Sequence, residues 1–310
     1  MRHTALLALL TPLCLGAAPA TPTAPPASAP ASQPRPAPPP ILDDAALEAL
    51  IREAQAEPRL GKRVNLISRR FLHTPYAVSP LGEGPGSPPD EDPRFSVHAF
   101  DCTTFVETVV ALALARDLAQ ARRILDAIRY QGGVVSFATR KHFPMAQWVP
   151  QNIEAGFFVD ITRRVGGPTT RVAYKLLDLE VWERRRNKEI LPELKSDQLP
   201  QGTAALPFIP IEEVVAHLGE IPDGTVITVV RENYKSVPIR VSHQGLLVRR
   251  GERLFMRHAL QKGYNRVIDV PFERYVERIG KYGKWPVVGF NLLQPQTPPD
   301  LERIAGGASR

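Results

Sequence analysis

The chain predicts an α+β fold built on an antiparallel sheet, and three observations carry that prediction. Helical periodicity dominates the first half. β-branched runs follow one another in the second half, without the helix–strand alternation that a parallel sheet needs. Two of those runs flank a glycine turn, as hairpin strands do.

The ends of the chain read differently from its middle. Met1-Arg2-His3, an apolar run from Ala5 to Ala18 and the small-residue site Ala18-Pro19-Ala20 predict a secretory signal over 1–20. The run is too short and too interrupted by proline to span a bilayer. Export to the periplasm or the extracellular space is therefore expected. Pro, Ala, Ser and Thr dominate residues 21–40, which have too little apolar surface to offset the cost of ordering and are expected to be a disordered linker. Residues 41–300 suit one domain, and 301–310 are expected to form a flexible tail.

The spacing of Leu42, Leu47, Leu50 and Ile51 predicts a helix within Ile41–Arg59, capped by Asp43 or Asp44. Leu60 to Leu72 predicts a second helix or a turn-rich approach. Pro, Gly, Asp and Glu make 79–93 a loop. A helix opening at Cys102 is apolar through Leu114, so it is expected to be central and buried. Ala119 to Tyr130 continues as a helix, with Gln131-Gly132-Gly133 as its left-handed cap. Val172 to Val181 admits a strand or a helix, and 183–203 reads as a polar excursion. Leu206-Pro207-Phe208-Ile209-Pro210 leads into a short helix at Ile211–Leu218. Strands are predicted at Thr225–Arg231, Ile239–Arg249 and Arg253–Leu260, with Val267–Val270 and Val287–Leu293 as edges.

Cys14 lies in the expected signal, so the mature chain keeps one cysteine, Cys102. A lone thiol at a helix start meets unpaired amides and the positive end of the helix dipole, both of which favour the thiolate. A base is available in the hairpin. With Arg250-Gly251 as a two-residue turn, His243 and His258 stand directly opposite each other and share a face. One imidazole can then orient the other, which can serve the thiol as base. Asp101 is expected to cap the helix, and Glu107 to be a surface or packing residue.

Other chemistries fit less well. The seven histidines include no His-Glu-x-x-His, and no cysteine pair has ligand spacing, so neither a metal nor a cofactor is expected. A zinc site of Cys102, His243 and His258 is a minor alternative. No Gly-x-Ser-x-Gly supports serine catalysis. The formal net charge of +7 suits anionic surfaces such as cell-wall polymers, and equally a generic basic protein. The run Arg184-Arg185-Arg186-Asn187-Lys188 lacks interleaved aromatics and reads as a solvated helix face, not a nucleic-acid site.

The stretches Thr74-Pro75-Tyr76, Phe100-Asp101-Cys102-Thr103-Thr104-Phe105-Val106-Glu107, Arg140-Lys141-His142-Phe143 with Trp148 and Asn152, Ser242-His243-Gln244-Gly245 and His258-Ala259 together resemble the NlpC-type, papain-like cysteine hydrolases. Within that group the chain resembles the N-acetylmuramoyl-L-alanine amidase-like branch. The resemblance runs from about residue 60 to 293. It implies a papain-like α+β core with the nucleophile helix on an antiparallel sheet, and peptidoglycan or muropeptides as substrate. It also implies Cys102 as nucleophile, His243 as base, His258 as orienting residue and Tyr76 as a neighbour of the nucleophile. Tyr76 and the Cys102 amide are oxyanion candidates. Arg140, His142, Trp148 and Asn152 are candidates to line a sugar and peptide cleft. Thr103-Thr104 depart from the Asp-Cys-Ser-Gly common in the wider group. Two alternatives stay open: an endopeptidase cutting between γ-D-glutamate and a diamino acid, and a non-catalytic wall-binding protein.

Overall fold

The computed structural model describes residues 41–184, 187 and 191–306. The expected signal over 1–20, the linker over 21–40 and most of the basic run at 184–188 lie outside the described residues.

Helices come first: α1 (Asp44–Gln55), α2 (Leu60–Arg70), α3 (Cys102–Leu114) and α4 (Leu118–Arg129). Asp43 caps α1 by accepting from the Ala46 amide, and Asp117 caps α4 in the same way through Gln120. A mixed stretch follows, with α5 (Val149–Glu154), β1 (Phe158–Asp160), α6 (Thr162–Gly166), β2 (Arg171–Leu177), α7 (Leu179–Glu183) and β3 (Gly202–Pro210). The chain closes with β4 (Thr225–Arg231), β5 (Val241–Arg250), β6 (Arg253–Leu260), β7 (Arg266–Pro271), α8 (Phe272–Gly280), β8 (Val287–Pro295) and α9 (Leu301–Gly306).

The strands form a sheet in the order β2-β3-β8-β4-β5-β6-β7, with β1 added on β8. Every ladder is antiparallel. Side-chain alternation divides the sheet between two cores. On one face Val226, Val230, Leu246, Val248 and Ala259 pack with the apolar sides of α1 to α4. On the other, Ile227, Val229, Leu247, Met256 and Phe290 pack with Phe272, Tyr275 and Val276 of α8.

Several expectations change. β8 is no edge: it pairs with β4 from Val226↔Leu293 to Arg231↔Val287, and with β3 on its other side. Its neighbours are distant in sequence, so no hairpin signal marks them. Val172–Val181 resolves into a strand and then a helix, divided by Asp178, which caps α7 through the Val181 amide. Leu206–Pro210 belongs to β3, and Pro207 is tolerated there because β3 is paired at that point with β2 alone. The short helix beyond it is 3₁₀ and runs Val214–Glu220. α4 ends at extended Tyr130, so Gly132 and Gly133 shape the turn after the cap. α8 was not foreseen, although Phe272, Tyr275, Val276 and Ile279 have helical spacing. The tail is helical as far as Gly306 and packs on α4. The 183–203 excursion is pinned where Trp182 donates its indole N–H to the Pro200 carbonyl at 2.9 Å.

Every residue of α3 except Thr103 is buried. Glu107, expected at the surface or in packing, is buried on this helix. It accepts from Arg129 at 2.8 Å and from the Trp148 indole at 2.8 Å. Burial raises its pKa, and the Arg129 guanidinium works against that. Arg129→Met would strand a buried carboxylate, and is expected to cost about 3–5 kcal/mol in urea unfolding. A loss within experimental error would show that the pair carries no stability.

Candidate active site

Asp101 builds the start of α3. Its carboxylate accepts from the Thr103 and Thr104 amides at 2.9 and 2.7 Å, and the Thr104 hydroxyl accepts from the Asp101 amide at 3.0 Å. This reciprocal cap fixes the backbone on either side of Cys102. Thr103 then reaches across to the sheet and donates to Gln244 Oε1 at 2.9 Å. The Cys102 sulphur lies 3.9 Å from Thr103 Oγ1, and the Gln244 backbone amide points at it.

Cys102 is buried. The helix start was expected to favour its thiolate, but burial and the Asp101 charge outweigh the amides of Gln244 and Cys102 and push the thiol up to about 12. The free protein therefore carries a neutral thiol at physiological pH. Tyr76 lies in the same neighbourhood: burial, then the Cys102 and Asp101 charges, push its phenol well up.

The histidines meet, though not in the expected register. The β5–β6 turn is Gly251-Glu252, because Arg250 pairs with Arg253. Gly251 has φ +58°, which suits a glycine in the first place of a two-residue turn. The register is thus displaced by two residues. A shift of one would have put the histidines on opposite faces; a shift of two keeps them on the same face as diagonal neighbours. His243 Nε2 and His258 Nδ1 are 2.7 Å apart. Beyond the last formed pair, Leu246↔Arg257, Gly245 comes up against His258. A Cβ there would stand 3.0 Å from His258 Cβ and 2.7 Å from Met256 Cε. This accounts for the glycine of the Ser-His-x-Gly string: the room beside it is occupied by the Met256 side chain, the Arg257 carbonyl and His258.

Both imidazoles are neutral at physiological pH. Burial, then Arg231 and Arg278, lower His243 to about 4. Burial, His243 and Arg278 hold His258 well below the ordinary range. Tyr275 of α8 stands edge-on to the His258 ring, with centroids 5.4 Å apart at 86°. His258 Nε2 is buried without a partner among the described residues.

The other expected cleft residues divide. Arg140 and His142 line a cavity of about 120 Å³ with Asp101, Thr103 and Thr104 at the start of α3. Arg140 has no free fork there: it donates to both Glu83 oxygens at 2.8 and 2.6 Å and to Asp90 at 2.8 Å. His142 is bound to the Phe137 carbonyl at 2.7 Å, and burial lowers it to about 3. Trp148 and Asn152 are fully buried and face no cleft. Trp148 packs on Phe158, while Asn152 accepts from Lys141 at 2.8 Å and donates to the Ile128 carbonyl at 3.1 Å. Sequence reasoning missed Thr103 and Gln244 as positioning groups, and Arg231, Tyr275 and Arg278 altogether. No local pattern announces a contact between distant elements.

Residues 66–281 match the family model AmiA-like, described as N-acetylmuramoyl-L-alanine amidase-like. No curated protein matches the chain. A Legionella pneumophila structure of the family DUF1460 is similar at 27% identity and TM-score 0.72, over 82% of this chain and 95% of that one. An N-acetylmuramoyl-L-alanine amidase from Bacteroides uniformis is similar at 20% identity and TM-score 0.61, over 77% and 99%. A Bacteroides fragilis protein described as a putative xylanase is similar at 21% identity and TM-score 0.57, over 73% and 98%. Likeness to the two Bacteroides proteins shows a shared fold.

Gly245→Ala is expected to push the hairpin strands apart at His258 and to cost roughly 1–3 kcal/mol in urea unfolding. Histidine NMR should show the paired imidazole resonances altered. Unchanged stability and unchanged resonances would mean that the glycine makes no room for His258.

Proposed function

The chain belongs to the AmiA-like, N-acetylmuramoyl-L-alanine amidase-like family, and from that premise we propose that it is an exported cysteine hydrolase of papain-like type. Its substrate is the amide between N-acetylmuramic acid and L-alanine in peptidoglycan or muropeptides. The observation that carries this reading is the hydrogen-bonded pair His243–His258, in which His243 is next in sequence to Gln244, whose backbone amide points at the Cys102 sulphur at a capped helix start.

The chemistry follows from a neutral thiol and a neutral imidazole. No thiolate–imidazolium pair exists in advance, so the proton moves as the sulphur attacks. His243 Nε2 is engaged with His258, which leaves Nδ1 to accept the Cys102 proton. In that tautomer His243 Nε2–H donates to His258 Nδ1, and His258 keeps its own proton on Nε2. The sulphur adds to the amide carbonyl. The oxyanion is met by the helix-start amide of Cys102 and by Tyr76. The imidazolium returns its proton to the nitrogen, the peptide leaves as an amine, and a thioacyl enzyme remains. Water, deprotonated by His243, then releases the muramic carboxylic acid and restores the thiol.

Mass spectrometry of muropeptides incubated with the protein tests the reading. Free peptide beginning with L-alanine is expected, and Cys102→Ala should lower its release by at least roughly a thousandfold. Cuts after D-glutamate would move the bond, and no cut on any muropeptide would overturn the hydrolase. A second test is the pH profile. Because His243 titrates near about 4, kcat/KM is expected to fall only as pH drops through that value, and to hold through neutrality. An acid limb at an ordinary histidine pKa would contradict a buried neutral base. The same group links to stability. Its folded pKa lies below the unfolded 6.5, so the unfolded chain binds the proton first and stability declines as pH falls from 6.5 towards about 4.

A further inference from the structure

Arg231 ends β4 at a place where two ladders slip. Val229 pairs with His243 but Val230 with Val241, so Ser242 is an extra residue in β5. The β4–β8 register shifts again between Val230 and Arg231. Such bulges re-aim side chains, and this one directs a guanidinium into fixed surroundings. Arg231 Nε donates to Ser242 Oγ at 2.7 Å, and Nη1 donates to the Trp285 carbonyl at 2.6 Å. The group lies 5.2 Å from the Tyr282 ring centre and 5.6 Å from that of Trp285. Nη2 has no protein acceptor among the described residues.

Arg278 comes from α8 on the same side. Its guanidinium stands 5.9 Å over Tyr275, the ring that packs on His258. Both arginines act on His243 strongly enough to help hold it neutral. Among the described residues no carboxylate pairs with either. Arg140 differs: a candidate to line the sugar and peptide cleft, it is filled by Glu83 and Asp90.

We propose that Arg231 and Arg278 form an anion subsite beside the His243–His258 pair, which takes a carboxylate on the amine side of the cleaved amide. This rests on the hydrolase reading above. The side follows from the chemistry: His243 must hand its proton to the departing nitrogen, so the leaving peptide lies against His243 and runs on past it. In a muropeptide the first carboxylate on that side is the α-carboxylate of D-glutamate, one residue beyond L-alanine. A guanidinium anchored through Nε and Nη1, with Nη2 open, meets a carboxylate at little entropic cost.

Calorimetry on the full-length Cys102→Ala protein separates this proposal from the reaction itself. The probes are N-acetylmuramoyl-L-alanyl-γ-D-glutamyl-L-lysine and its D-isoglutaminyl counterpart, in which an amide replaces the α-carboxylate. The carboxylate ligand is expected to bind at least roughly tenfold more tightly, with a preference that shrinks as salt is added. Adding Arg278→Gln, an exposed change whose folding urea unfolding checks, should remove most of that preference. Arg231→Lys, which keeps the charge but loses the fork, should reduce it. Equal affinity for the two ligands, or a preference that survives both changes, overturns the subsite alone. Binding of neither ligand overturns the subsite together with the muropeptide reading.

Discussion

The Asp101 carboxylate is the contact on which the site depends. It satisfies two amides at the start of α3, and the reciprocal bond from Thr104 closes the turn. Without that cap the first turn of a helix has no reason to hold one conformation in a packed interior. The cap also presents Thr103 to Gln244, which ties the helix start to β5. Position has an electrostatic consequence, because the charge that orders the turn opposes ionisation of the sulphur beside it. A reader of the helix dipole alone would expect the opposite sign.

Around this turn, burial sets the protonation states. The thiol is raised and both imidazoles are lowered, so the three groups are neutral together. A neutral site can be enclosed at modest cost, whereas an isolated ion pair could not. In the proposed reaction, proton transfer accompanies bond formation. The His243–His258 bond, with Tyr275 edge-on to the His258 ring, fixes the orientation of the imidazole proposed as base.

The charged groups that are buried sit where they are matched. Glu107 and Arg129 tie α3 to α4 and to Trp148, and Arg140 closes on Glu83 and Asp90. These contacts engage Trp148 and Arg140, two of the residues expected to line a cleft. Arg231 and Arg278, which no carboxylate meets among the described residues, stand on the α8 side of the sheet, where His243 and His258 also point. The histidine pair and the unmatched charge thus coincide on one face, while α1 to α4 pack on the other.

Much was legible in the chain itself, because it depends on neighbours in sequence. A cap at Asp43 or Asp44, the helix start at Cys102, the capping role of Asp101, the strands at 225–231 and 253–260, and the shared face of the two histidines all follow from local periodicity and turn chemistry. Hairpin parity survived even though the turn moved, since a displacement of two leaves the side chains where they were. The tertiary structure decided the rest. It placed β8 in the centre of the sheet, buried Trp148 and Asn152, filled Arg140, and turned the Cys102 thiol from a favoured anion into a neutral group. Each of these is set by what comes from a distant segment to lie alongside, by desolvation and by charge. Periodicity carries no information about either.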